Sequence, residues 1–312
     1  MRFRFPVLLF CLTTTLSAFA ERNRSIEVPA TGVETIVFNV EEGDFQVRGD
    51  PTATEVRMNV SIDRAWMFQP RSEKKTLERL VTVSGEGTTQ LTIATDIRDS
   101  IFNLGRAQYP LDFEVVVPAR ARLILRDTSG KITLSDMQGD VQIHDTTGTL
   151  AVAGVGGRLE IEKESGDIRL ADVTGPTTIR SQSGRIQAER LERLEIGRSA
   201  GDLVITDVAA AQIRNTEGNV RVSRVGGDLQ IEDDSGDIQV EDVGGRVLIR
   251  DLSGQIRTAR TGAVTVYDTS GDVTVEQAES LAVMDKESGK VVARGVQRVQ
   301  TPSNIKLKSG GM

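Results

Sequence analysis

The residues 233–251, DDSGDIQVEDVGGRVLIRD, state one pattern twice. SGDIQVEDV (235–243) is followed at once by GGRVLIRDL (244–252), and the same pairing stands earlier as SGKITLSDM (129–137) and QGDVQIHDT (138–146). Inside each half, apolar residues alternate with polar ones: Ile132 and Leu134, Val141 and Ile143, Leu159 and Ile161, Ile168 and Leu170, Ile238 and Val240, Val247 and Ile249, Val273 and Val275. Period two over a short run bounded by Gly and Asp predicts a strand with one buried face. A helix would need apolar residues every three or four positions and would be weakened by so many glycines.

The repeat is marked by Gly130, Gly148, Gly166, Gly184, Gly201, Gly218, Gly236, Gly254, Gly271 and Gly289, spaced 17 or 18 residues apart throughout. Strands this short cannot bury a core alone. Stacked turns solve the problem, because each strand pairs in parallel with its equivalents about 4.8 Å above and below while inward Val, Ile and Leu form continuous ladders. The sequence therefore predicts an all-β fold, a single-stranded parallel β-solenoid (β-helix) with about 18 residues per turn, the nine intervals spanning roughly 45 Å.

In that architecture Ser-Gly-Asp is a corner. Glycine tolerates left-handed backbone angles, and Ser, Thr and Asp bond to nearby backbone groups. A catalytic triplet would not survive replacement of its last residue by Lys131, Thr149, Arg185, Asn219 or Gln255. Stacking also places these residues over one another, in the order Lys131, Thr149, Asp167, Arg185, Asp202, Asn219, Asp237, Gln255, Asp272, Lys290. Mixed signs avoid the repulsion that stacked aspartates would suffer.

Composition agrees with a slim aliphatic core: the 312 residues are 38% hydrophobic but only 4% aromatic. A net charge of -7 argues against nucleic acid as a partner, because no basic excess is present to neutralise phosphates. At the start, Arg2 and Arg4 precede the apolar FPVLLFCLTTTLSA, and AFA precedes Glu21, so residues 1–20 read as a signal peptide cleaved after Ala20. Cleavage removes Cys11, the only cysteine, and leaves His144 as the only histidine, on the outward phase of its strand. Disulfides, thiol chemistry and Cys/His zinc sites are thereby disfavoured. No later segment is long and apolar enough to span a bilayer as a helix. The expected destination is the periplasm or the exterior.

Residues 21–118 hold strand-like runs, ETIVFNV, EVRMNVSI, TQLTIAT and FEVVVP, without the 18-residue beat, and SEKKTLERL suits a short helix. GDFQVRG (43–49) looks like one isolated half-repeat, so this N-terminal β region is expected to cap or lead into the solenoid of residues 119–300, with 301–312 a polar tail.

The order GDFQVRG, EVRMNV, TQLTIAT, then YPLDFEVVVPARARLILRDTSGKITLSDMQGDVQIHDTTG and further Ser-Gly-Asp repeats resembles the bacterial putative-adhesin family of β-strand-repeat proteins, a domain of unknown function. The likeness covers nearly all of the chain after residue 20. It implies an exported, envelope-associated β-solenoid and brings no catalytic residues with it.

The expected function is a non-enzymatic, adhesin-like binding module of the cell envelope, with no catalytic, cofactor or metal residues. Its partner would be an envelope protein or a surface glycan. Aromatic residues otherwise scarce in the chain gather at Trp66, Phe68, Phe102 and Tyr109, which are the candidate partner contacts; packing over the solenoid end is their other reading. A structural spacer, or an accessory to envelope sensing, is the alternative. A polysaccharide-acting enzyme using the carboxylates of EDDSGD (232–237) and VED (240–242) is less favoured, because 18-residue turns leave little room for a cleft. Repetitive calcium binding wants a Gly-Gly-x-Gly-x-Asp phase that GGDLQIEDD lacks.

Overall fold

The computed structural model describes residues 23–62, 73–95, 110–303 and 307–310. The chain opens with strands β1 (Asn23–Pro29), β2 (Thr35–Asn39), β3 (Phe45–Asp50) and β4 (Glu55–Ile62). Helix α1 (Glu73–Leu80), β5 (Val81–Ser84), β6 (Gln90–Thr95) and β7 (Leu111–Pro118) follow, and then β8 (Arg122–Met137) begins the long coil. The expected helix in SEKKTLERL is α1, whose Leu77 is buried; Arg24 donates to the carbonyls of Leu77 and Val81 at 3.1 and 3.0 Å and so occupies its C-terminal end.

From β8 onward each turn lies on the one before it in parallel register, making a parallel β-solenoid of about ten turns spaced about 18 residues apart. Two faces result. On the first, Leu123 and Leu125 stack on Val141 and Ile143, these on Leu159 and Ile161, and the ladder continues through Leu229 and Ile231 to Leu281 and Val283. On the second, Ile132 and Leu134 stack on Leu150 and Val152, then on Ile168 and Leu170, and so on to Val273 and Val275. Every apolar pair expected to point inward is buried. Each such side chain contributes about 1.5–3 kcal/mol relative to exposure, and the alternation repeats it turn after turn.

GDFQVRG is more than half a turn. Thr35–Asn39 of β2 pairs with the first half of β8, and Phe45–Arg48 of β3 pairs with its second half, so residues 35–50 form a complete turn beneath β8. Beneath that turn lie β6, parallel to β2, and β7, parallel to β3. The coil is then closed by antiparallel strands: β5 on β6, β4 on β7 and β1 on β4. Antiparallel closure ends the parallel stack without leaving a copy of its own open edge. The three described phenylalanines gather here, with Phe38 and Phe45 ring centroids 5.0 Å apart and Phe45 and Phe113 5.2 Å apart. Among the described residues the apolar core is otherwise aliphatic apart from Met58 and Met137, in keeping with the composition.

Candidate functional site

Two edges join the two faces, and each carries a column of polar or charged residues. At the first edge stand the ten marker glycines, from Gly130 to Gly289, all with φ between 96° and 148°. Gly43 of the turn below extends the column. A Cβ added to any of the ten would lie only 1.7–2.7 Å from the carbonyl oxygen of the glycine beneath it. The backbones of neighbouring turns touch at this point, and no side chain fits.

The aspartate after the glycine bonds to the next turn. Asp167 Oδ1 accepts from the Arg185 backbone N–H at 3.3 Å, Asp202 Oδ1 from Asn219 at 3.1 Å, Asp237 Oδ1 from Gln255 at 3.1 Å and Asp272 Oδ1 from Lys290 at 3.0 Å. This donation holds the Asp202 carboxyl below its usual range. The acid of Ser-Gly-Asp thus satisfies a backbone donor that the corner would otherwise leave open.

Inside the same edge runs a column that the sequence reading did not identify. Asp127, Asp145, Lys163, Ser181, Ser199, Asn215, Asp233, Asp251, Asp268 and Lys286 are all buried. Asp127 is in register with Asp145, Asp145 with Lys163, Asp233 with Asp251 and Asp251 with Asp268. Lys163 pairs with Asp145, and Lys286 with Asp268, all four side chains being fully enclosed; Lys286 also donates to the Gly271 carbonyl at 2.6 Å. Burial raises the Asp127 carboxyl to about 7, helped by the neighbouring Asp145 charge, and raises Asp145 against the pull of Lys163. Burial likewise raises Asp233 to about 6, and Asp251 to about 7 with the added charges of Asp233 and Asp268. The signal was present in the alternation itself: in LILRD, Leu123 and Leu125 point inward, so Asp127 must also.

At the opposite edge the chain bends through left-handed residues that are mostly not glycine. Asp136, Asp172, Arg190, Asp207, Arg224, Asp242, Arg260 and Gln277 have φ of 53–61°. From Asp172 to Arg260 the signs alternate turn by turn. Arg190 Nη2 donates to Asp172 at 3.0 Å, Arg224 Nη2 to Asp207 at 2.9 Å and Arg260 Nη2 to Asp242 at 3.0 Å. These hydrogen bonds hold the three carboxyls below their usual range. The residues that follow, Met137, Val155, Val173, Val208, Val225 and Val243, line the inside of this edge with apolar surface.

The carboxylates considered for hydrolysis do not converge. Glu232 stands on the first face between Arg214, at 3.1 Å, and Arg250, at 3.4 Å. Asp233 points into the core, Asp237 caps Gln255, and Glu241 and Asp242 both meet Arg260. His144 is half-buried on the first face, with Nδ1 2.9 Å from Glu162. Among the described residues no group of three or more His, Cys, Asp or Glu is placed to hold a metal ion. No helix among them is long and apolar enough to cross a membrane. Trp66, Phe68, Phe102 and Tyr109 lie outside the described residues, as do residues 1–20. The ends of the described chain nearest to those aromatics are informative: Ile62, closing β4, is the register partner of Leu111, opening β7.

The molecule is thus a two-faced parallel β-solenoid with one backbone-tight glycine edge, one ion-paired left-handed edge and an antiparallel cap. The chain belongs to the Toastrack DUF4097 family, whose model matches residues 3–190 and again 176–304. The resemblance read from the sequence, to the putative-adhesin family of unknown function, is borne out. Among solved structures, the chain is similar to a putative lipid binding protein from Parabacteroides distasonis ATCC 8503, with 12% identity over 90% of this chain and 97% of that one and a TM-score of 0.35. A putative adhesin from the same organism gives 11% identity over 90% and 97%, with a TM-score of 0.34. A putative adhesin from Bacteroides fragilis NCTC 9343 gives 9% over 89% and 97%, with a TM-score of 0.28. No curated protein matches the chain.

Proposed function

We propose that the protein is an exported, non-enzymatic β-solenoid of the cell envelope that acts as a binding, adhesin-like module, engaging an envelope protein or surface glycan at its capped end. The observation that carries this reading is the pairing of Ile62 with Leu111. It brings together the point where the chain departs towards Trp66 and Phe68 and the point where it returns from Phe102 and Tyr109. Trp and Tyr, with an apolar ring and a polar atom, suit recognition of a sugar face or a protein surface. Export is supported by the leader-like residues 1–20. The non-enzymatic reading is supported by the dispersal of the acids over two faces and both edges.

Crosslinking and pull-down of the mature protein from fractionated envelope, together with titration of purified surface polysaccharide, tests the proposal. Saturable capture that disappears in the W66A/F68A/F102A/Y109A variant, with the circular dichroism spectrum unchanged, is the expected result. The continuous ladders along the coil favour a second reading, a structural spacer or an accessory to envelope sensing. Absence of any saturable partner in the same experiment would select it.

A further inference from the structure

The buried column inside the glycine edge is unevenly charged. Its C-terminal stretch holds three carboxyls, Asp233, Asp251 and Asp268, against the single ammonium of Lys286. Lys286 engages Asp268, so Asp233 and Asp251 face each other in register without a cation beside them. Both oxygens of each are sealed from solvent and make no hydrogen bond of normal geometry, and the Asn215 side chain and the backbone N–H groups of Asp234 and Ser235, which favour the ionised form of Asp233, only partly offset its burial. Asn215 lies in register below Asp233, exposed Asp234 follows it in the chain, and Asp268 lies above Asp251. On Asp251's own strand the nearest donors are the backbone N–H groups of Leu252 and Ser253. Two ionised carboxylates in apolar surroundings, one turn apart, would repel each other and forfeit their hydration. Protons resolve both problems, since a carboxyl donates to the carboxylate on the neighbouring turn.

We propose that Asp233 and Asp251, beside the Asp268–Lys286 ion pair, form a proton-held seam: the folded coil retains protons between these adjacent turns, and their loss as pH rises loosens the glycine edge of the C-terminal turns. The direction is the reverse of ordinary acid unfolding. Burial raises Asp233 to about 6 and Asp251 to about 7, above the aspartate value of 3.8. Between those limits the folded chain binds protons that the unfolded chain releases. Stability therefore rises as pH falls from about 8 towards 4 and is lost as pH climbs through the folded values. The exposed acids Asp172, Asp207 and Asp242 are held below the usual range, so their stabilising contribution is lost only in more acidic solution and does not mask the effect.

The test is the melting temperature of the mature protein at about pH 5 and about pH 8, with hydrogen exchange at residues 251–254. The expected result is a melting temperature several degrees higher at the lower pH, faster exchange at 251–254 at the higher pH, and an Asp251 carboxyl carbon signal that titrates near neutrality. Asp251→Asn, which keeps the shape and cannot ionise, should reduce the dependence to the part that Asp127 and Asp145 supply and should melt higher than the parent at pH 8. Asp237→Asn, which removes an exposed carboxylate of the same region and keeps an acceptor for Gln255, should leave the slope intact. A flat parent profile, an Asp251 signal titrating near 4, or equal destabilisation of Asp251→Asn at both pH values would overturn the proposal. So would calcium raising the parent's melting temperature at pH 8 and not the variant's, because the column would then be held by a cation.

Discussion

Both edges of the coil turn the chain through positive φ once per turn, yet one carries only glycine while the other carries Asp, Arg and Gln. The difference lies in what stands over the Cα. At the glycine edge, φ of 96–148° lies outside the region that side chains tolerate, and the carbonyl of the turn beneath occupies the Cβ position. At the opposite edge, φ near 56° is ordinary left-handed backbone, and a Cβ added to Gly295 would meet nothing closer than 3.7 Å. A second tight contact does occur there, where Gly175 lies against the Gly157 carbonyl, but that column also admits Glu192 and Ala209. Close approach of stacked backbones, more than a positive φ, is what demands glycine.

The edges differ equally in what they enclose. Behind the left-handed edge the core is Met137, Val155, Val173 and their successors, and the charges stay outside as an Asp/Arg ladder in water. Behind the glycine edge the charges are inside. The first arrangement uses hydration to keep its ions inexpensive, and the second must pair or protonate them.

The largest expected effect tests the steric half of this contrast. Gly236→Ala would set a methyl 2.0 Å from the Gly218 carbonyl and should destabilise the coil by about 3 kcal/mol or more, read by urea denaturation. Asp242→Gly at the other edge should barely move the midpoint. Next comes the buried charge. Lys163→Met leaves Asp145 and Asp127 without their cation and should cost about 3–5 kcal/mol at neutral pH. The loss should shrink at about pH 5, where protons replace the missing lysine. The pH dependence of Asp251→Asn, already described, is intermediate. The smallest effect belongs to the exposed ladder: Arg224→Gln should lower the melting temperature only slightly, and added salt should erase the difference.

Much of this was legible in the residues because a solenoid repeats one local rule. The strand pairs Ile132/Leu134 and Val247/Ile249 and the glycine beat follow from alternation and spacing alone. The first turn at 35–50 was visible only in part, since its register partners in β8 lie 87 residues further on and nothing local records that pairing. The buried column was within reach of the alternation at Asp127 and Asp145. Beyond Val283 the rule fails: strict alternation points Asp285 inward, whereas a left-handed bend at Asp285, φ 50°, exposes it and turns Lys286 into the core beside Asp268. That one-residue shift gives the C-terminal carboxyls their only buried cation among the described residues.

By itself the sequence determined that the chain coils, how long each turn is and which side chains face inward, because those properties depend on neighbours a few residues apart. Only the tertiary structure decided which turn lies on which, that the cap slips beneath the first turn, and that acids meet acids inside one edge. Those outcomes depend on contacts between residues 17 or more apart in the chain, whose energies arise only when backbone stacks on backbone and water is excluded between them.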